Sequence, residues 1–193
     1  MRRPVVYMIG GPNGAGKTTA AMGLMPSAID CAEYVNADAI AAGLSPFRPA
    51  GVTIEAGRVM LKRIAELARA RRDFAFETTM ASRSFVPFLR QCRERGYRIE
   101  ALYVWLRSAD LAVARVAQRV SEGGHAVAEV TVRSRYERGL ANFAALYAPL
   151  ADHWALFDNS GACARMVAQK DRRGVLQVVD PEAWALVKGR MTW

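Results

Sequence analysis

The stretch Val5-Val6-Tyr7-Met8-Ile9-Gly10-Gly11-Pro12-Asn13-Gly14-Ala15-Gly16-Lys17-Thr18-Thr19 decides the fold. A short apolar run enters a glycine-rich turn, and a helix-forming segment follows over 17–25, with Pro26 predicted to close it. From Gly11 to Thr18 every fixed position of G-x-x-x-x-G-K-[ST] is met, between a strand and a helix as that pattern requires. Glycines let the backbone turn and bring its N–H groups close to phosphate oxygens, and the helix start adds the positive end of its dipole. Gly11, Pro12, Asn13, Gly14, Ala15, Gly16, Lys17, Thr18 and Thr19 are therefore predicted to cradle ATP. Lys17 is expected on the β- and γ-phosphates and the Thr18 hydroxyl on Mg²⁺. Arg2 and Arg3 before the apolar run resemble the front of an export signal, but the glycines follow at once, so 5–9 reads as a strand.

Working outward, strand-like and helix-like segments alternate. Weak or short strands are predicted over 33–36 and 74–76, the strongest over 99–106, and another over 154–157. Between them, Ala56, Met60, Ile64 and Leu67 share one helical face. Ser82 or Ser84 is expected to cap a helix ending at Gly96. Ser108 is expected to cap another, with Val113, Val116, Ala117 and Val120 on its apolar face. A further helix carries Val132, Tyr136, Leu140, Phe143 and Tyr147. Such alternation points to βαβ units: an α/β P-loop fold with a mainly parallel sheet flanked by helices and a helical lid, like the nucleoside monophosphate kinases. Segments 164–168 and 175–179 flank a Lys170-Asp171-Arg172-Arg173-Gly174 turn as a hairpin. Asp180-Pro181 then opens a last helix.

The chain has 193 residues and no apolar run near the length of a membrane span. We read it as one domain over 1–193, with the lid at about 115–138 and the hairpin and last helix at about 161–193. Cys31, Cys92 and Cys163 are scattered, without a C-x-x-C pair, which argues against a disulfide framework or zinc site and suits a cytoplasmic location. The net charge is +9, carried almost wholly by arginine, since Lys17, Lys62, Lys170 and Lys188 are the four lysines. That balance suits an anionic small substrate or nucleic acid. A nucleic-acid-dependent ATPase would use the arginine-rich surface, but the sequence has no aromatic-basic platform for single strands. A transporter-type ATPase would need an L-S-G-G-Q signature and a strand ending in Asp-Glu, and neither occurs.

In doubly wound sheets ligands lie beyond the carboxyl ends of the strands. Asn36-Ala37-Asp38, Glu77-Thr78-Thr79 and Asp158-Asn159-Ser160 follow predicted strands and so share a rim with the phosphate loop. Asp38 is placed either as general base for an acceptor hydroxyl or as a helix cap. Glu77 is placed either toward substrate or metal-bound water, or as a cap or ion pair. Asp158-Asn159-Ser160 is either a nucleotide-base contact or a plain turn. Arg115 and Arg119 precede Gly123-Gly124-His125, and Arg133, Arg135 and Arg138 follow it. Two arginine-bearing helices about a hinge look like a lid that brings positive charge to a transferring phosphoryl group.

Taken together, 10–19, Asn36-Ala37-Asp38, Ala56-Gly57-Arg58, 74–79, 115–125, 133–140 and Asp158-Asn159-Ser160 resemble the zeta toxin family of P-loop kinases, especially its shorter bacterial members. The resemblance implies ATP-dependent phosphorylation of UDP-N-acetylglucosamine and an antitoxin protein as partner. It implies Asp38 as catalytic base, Lys17 and Thr18 on phosphate and magnesium, and Asn36, Glu77 and Thr78 on substrate. Arg119 and Arg135 are the implied lid arginines, with Arg115 or Arg133 as alternatives. The chain is shorter than the longer members of the family, and another small metabolite is the alternative acceptor.

Overall fold

The computed structural model describes residues 2–28, 31–124 and 126–191. Its strands are β1 (Val5–Gly10), β2 (Tyr34–Val35), β3 (Phe74–Thr78), β4 (Arg98–Trp105), β5 (His153–Asp158), β6 (Arg165–Lys170) and β7 (Leu176–Val178). Its helices are α1 (Lys17–Ala28), α2 (Ala37–Leu44), α3 (Thr53–Arg69), α4 (Phe85–Glu94), α5 (Ala109–Ser121), α6 (Glu129–Asn142) and α7 (Pro181–Lys188). One sheet runs in the order β2-β3-β1-β4-β5-β6-β7. β1 to β5 are parallel, and β6 and β7 are added antiparallel. The mostly parallel sheet flanked by helices is the architecture predicted. β1 lies between β3 and β4: the chain runs from β1 to β2 and β3 on one side, then crosses to β4 and β5 on the other, so the loop after β1 opens at the switch point where such sheets bind ligands.

The alternation of each strand divides the core. Val6, Met8, Phe74, Phe76, Ile99, Tyr103, Trp105 and Leu156 face Met60, Ile64 and Leu67 of α3, Val86 and Leu89 of α4, Leu140 of α6, and Ala183 and Val187 of α7. On the opposite face, Val5, Tyr7 and Ile9 pack with Ala21 of α1, while Val104 and Leu106 pack with Ala112, Val116, Val132 and Tyr136 of α5 and α6. Each fully buried large apolar side chain contributes about 1.5–3 kcal/mol. The stripe from Val132 to Tyr147 is buried along its length, continuing from α6 into a π-helical turn over Phe143–Tyr147.

Local chemistry sets several boundaries. Ser108 caps α5 by accepting from Leu111 N, and Asp180 caps α7 by accepting from Ala183 N. Other expectations are corrected. α1 runs two residues past Pro26, which falls in its last turn. The residue before α4 is Ser84, whose side chain makes no capping bond; the Ser82 hydroxyl instead accepts from Ser84 N. On α5 the buried pair is Ala112 and Val116, which cluster with Val132 and Tyr136 of α6, while Ala117 and Val120 are exposed. His125, expected at the lid hinge, lies outside the described residues.

Candidate active site

The phosphate loop is shaped by glycine. Gly11, Gly14 and Gly16 have φ of 144°, 78° and 75°. A Cβ at Gly11 would lie 2.3 Å from Val104 O, and one at Gly14 would lie 2.7 Å from Ala112 O. The loop is thus clamped between β4 and α5, and only glycine fits those positions. Asn159 Nδ2 donates to Ala15 O at 2.8 Å, tying the strand-end turn after β5 to the loop. Among the described residues no hydrogen bond claims the backbone N–H groups of Gly14, Gly16, Lys17 or Thr18. Those amides line a concave turn at the start of α1, the arrangement that receives anionic oxygens.

Lys17 is buried, and its Nζ donates to Pro12 O at 3.0 Å. It also lies 3.6 Å from Glu77 Oε1. Burial pulls its ammonium below the ordinary lysine value, and the Glu77 carboxylate opposes that pull. Glu77, near the carboxyl end of β3, is the hub of the site. Its Oε2 accepts from the Thr18 hydroxyl at 2.7 Å, from the Tyr34 hydroxyl at 2.5 Å and from Asn36 Nδ2 at 2.9 Å. Burial and the neighbouring Glu77 charge push the Tyr34 hydroxyl far above its ordinary pKa, so it donates throughout the physiological range. Three neutral donors and one buried cation therefore converge on one carboxylate beside the phosphate loop. This oxygen set suits a hard divalent cation near Thr18, either directly or through water.

The cap of α2 is Asn36, whose side chain accepts from Asp38 N and Ala39 N. That frees Asp38 from the capping alternative: it sits in the first turn with its side chain 58% exposed, and Arg119 Nη1 approaches its Oδ2 at 3.9 Å. Arg119 ends α5, so this contact crosses the cleft between α2 and the lid helices. Arg135 of α6 reaches the phosphate loop, donating to Asn13 Oδ1 at 3.1 Å. The other arginines are engaged elsewhere. Arg133 pairs with Glu129 and Asp110, Arg115 donates to Ser160 O, and Arg138 donates to Ser134 O. Lys17, Thr18, Asn36, Asp38, Glu77, Arg119 and Arg135 thus share one cleft. Thr78 uses its hydroxyl to accept from Met80 N, and Thr19 is exposed in the first turn of α1, next to Thr18. Asp158 accepts from Arg107 Nε at 2.8 Å and from Ser160 N at 2.9 Å, which makes it the brace of its own turn.

Sequence reasoning missed Tyr34. It stands two residues before Asn36 on an extended segment, and that spacing, which sends alternate side chains to one side, was the available signal. It also left Asn159 undivided from its neighbours, though its amide holds the phosphate loop.

This sheet order and this loop define a P-loop kinase-like fold. Residues 5–146, well over half of the chain, match the family described as AAA domain, and the chain belongs to that family. A protein of Haemophilus influenzae described as uncharacterized is 29% identical over 127 residues, which cover 65% of this chain and 88% of that protein. Among solved structures, a chain of the AvrRxo1-ORF1:AvrRxo1-ORF2 complex with sulphate ions superposes with a TM-score of 0.77 at 17% identity, over 99% of this chain and 65% of that one. The same pair with ATP gives 0.75 at 17% identity, again over 99% and 65%. A structure of the PezAT chromosomal toxin-antitoxin system of Streptococcus pneumoniae gives 0.64 at 10% identity, over 98% and 86%. At these identities the likeness is one of fold, and the present chain spans 65% of the AvrRxo1 chain it matches.

Proposed function

We propose that the protein is an ATP-dependent phosphotransferase that moves the γ-phosphoryl group to a hydroxyl of a small molecule. The observation that carries this reading is the approach of Arg119 to Asp38 at 3.9 Å across the mouth of a cradle whose amides are unclaimed. A carboxylate outside the phosphate loop, exposed and paired with a lid arginine, has the position and charge to orient an acceptor hydroxyl and take its proton. Lys17 and Arg135 hold the phosphates from inside and from the lid, and Arg119 offsets charge on the transferring group as the lid closes. Bound magnesium, held through Thr18 with Glu77 behind it, would supply charge neutralisation between the β- and γ-phosphates. The AvrRxo1 structure with ATP supports the choice of nucleotide at the level of fold.

The acceptor we favour for first testing is UDP-N-acetylglucosamine, on the zeta-type resemblance of the motifs and the fold likeness to PezAT. Another small metabolite is the alternative. Both families of neighbours are described together with a second protein, which supports a protein partner for this chain. The test is product mass spectrometry on a bacterial metabolite extract with ATP, repeated with Asp38→Ala. That variant is expected to bind an unhydrolysable ATP analogue as before and to lose phosphorylated product by about 100-fold or more. Unchanged turnover removes Asp38 from the mechanism.

A further inference from the structure

The lid helix α6 is tied to the end of β4 by a residue from outside both. Arg190 follows α7, and Val187 and Met191 on either side of it are buried, so the backbone that carries it is anchored. One nitrogen of its guanidinium, Nη1, donates to the Tyr136 hydroxyl at 2.6 Å and to Arg107 O at 3.1 Å. Tyr136 donates its own proton to Leu106 O at 2.8 Å, so its oxygen is left as an acceptor, which the cation fills. The hydroxyl of α6 is thus gripped from two sides, by the main chain just after β4 and by Arg190. Arg190 also lies beyond residues 5–146, the part of the chain that matches the family.

The residue before Tyr136 is Arg135, which donates to Asn13 Oδ1 in the phosphate loop at 3.1 Å. Successive residues of a helix point about 100° apart, so anchoring Tyr136 fixes the rotation at which Arg135 emerges. The apolar cluster around the Tyr136 ring holds α6 against the sheet, but that attraction is non-directional; the bonds to the hydroxyl are what resist turning. Helix side chains reach at least about 5–6 Å from the axis, so a rotation of about 20° would carry Arg135 about 2 Å and break its bond to Asn13. We infer that Arg190 is a positioning residue for the nucleotide site: from the end of α7 it sets the rotation of α6, and with it the placement of Arg135 on the phosphate loop. This rests on the phosphotransferase reading above and adds what holds the lid in register before nucleotide arrives.

The test compares wild type with Arg190→Met, Arg190→Lys, Arg135→Met and the double variant Arg190→Met/Arg135→Met. Leu89→Val serves as control, because it loosens a buried site on α4, which makes none of these contacts. The first readout is amide hydrogen exchange without nucleotide. Arg190→Met should speed exchange over 129–142 about 5- to 10-fold and leave α3 at wild-type rates. The second is the affinity for an unhydrolysable ATP analogue by calorimetry, which Arg190→Met should weaken about 10-fold. Arg190→Lys should stay within about twofold of wild type, because one nitrogen makes both bonds and an ammonium can replace it. In the Arg135→Met background, Arg190→Met should weaken binding no further, since its effect runs through Arg135. Leu89→Val should lower the thermal midpoint and leave both readouts unchanged. Wild-type exchange over 129–142 in Arg190→Met refutes the proposal whether or not nucleotide binds. Additive losses in the double variant, or equal weakening by Leu89→Val, show that Arg190 serves stability alone and overturn the assignment. If wild type binds no analogue, the phosphotransferase reading fails, and the exchange result decides whether Arg190 holds α6.

Discussion

Replacing Glu77 with glutamine keeps the shape of the side chain and removes its charge, so it isolates what the carboxylate does beside the phosphate loop. Lys17 and Glu77 are 8% and 11% exposed and 3.6 Å apart. At an effective dielectric constant of about 20 that separation is worth about 4–5 kcal/mol of gross attraction. Glutamine retains one oxygen for Thr18, Tyr34 and Asn36 but turns an amide donor or a neutral oxygen toward the ammonium. Breaking one side of a buried ion pair typically costs about 3–5 kcal/mol, most of it the buried charge left behind. Lys17 also keeps its bond to Pro12 O, which softens the loss. We therefore expect Glu77→Gln to lower unfolding free energy at pH 7 by about 3 kcal/mol in urea titrations. The variant should recover more than wild type does when an unhydrolysable ATP analogue is added without metal, because the phosphates return a counter-charge to Lys17. The double variant Lys17→Met/Glu77→Gln should be more stable than Glu77→Gln alone. A single-variant loss under about 0.5 kcal/mol, or strictly additive effects in the cycle, would refute the reasoning.

Two glycines in helices should respond with opposite signs. Gly57 of α3 has open space where a Cβ would stand, so Gly57→Ala should stabilise by about 0.5–1 kcal/mol. At Gly139 of α6 a Cβ would lie 2.6 Å from Thr79 O and 3.0 Å from the Tyr103 hydroxyl, so Gly139→Ala should lower the thermal midpoint despite its better helix propensity. Acid stability should report on Glu100. Burial disfavours its ionised form, but His153 close by at 3.7 Å, the hydrogen bond from Arg172 and the charge of Arg98 outweigh that and hold it at about 2, against 4.5 for a free glutamate. A folded-state pKa below the unfolded one gives stability that is present above about pH 4.5 and lost as pH falls toward 2, amounting to about 3 kcal/mol. Glu100→Gln should flatten that part of a pH-stability profile; an unchanged slope would mean the carboxylate titrates elsewhere.

The parts of this fold that were legible in the sequence are those fixed locally. The strand-turn-helix at 5–19 announces itself because glycine and Lys17-Thr18 are needed within a few residues of one another. Ser108 and Asp180 act as caps within three residues of their own positions. Long-range choices were not legible. Arg133 and Arg135 are two apart on one helix and so point in different directions. Only the packing of α6 sends Arg135 to Asn13 and Arg133 to Asp110 and Glu129. The helical period allowed both Ala112 and Val120 on the buried side of α5, and the position of α6 selects the former. At Asn36-Ala37-Asp38, three residues held both a cap and a free carboxylate. The better cap, Asn36, took the amides and left Asp38 facing Arg119.

The two outermost strands carry a consequence for how the molecule behaves in company. β2 is two residues long and β7 three, the latter wholly exposed, with Lys170, Arg172 and Arg173 at the turn beside it. A free sheet border is a template on which a neighbouring chain can zip itself, and the hazard grows with its length and flatness. Borders this brief offer too few donors and acceptors to start such a fibre. Edge-to-edge strand pairing should therefore not drive association when the protein is concentrated, even with Leu176 and Val178 facing water.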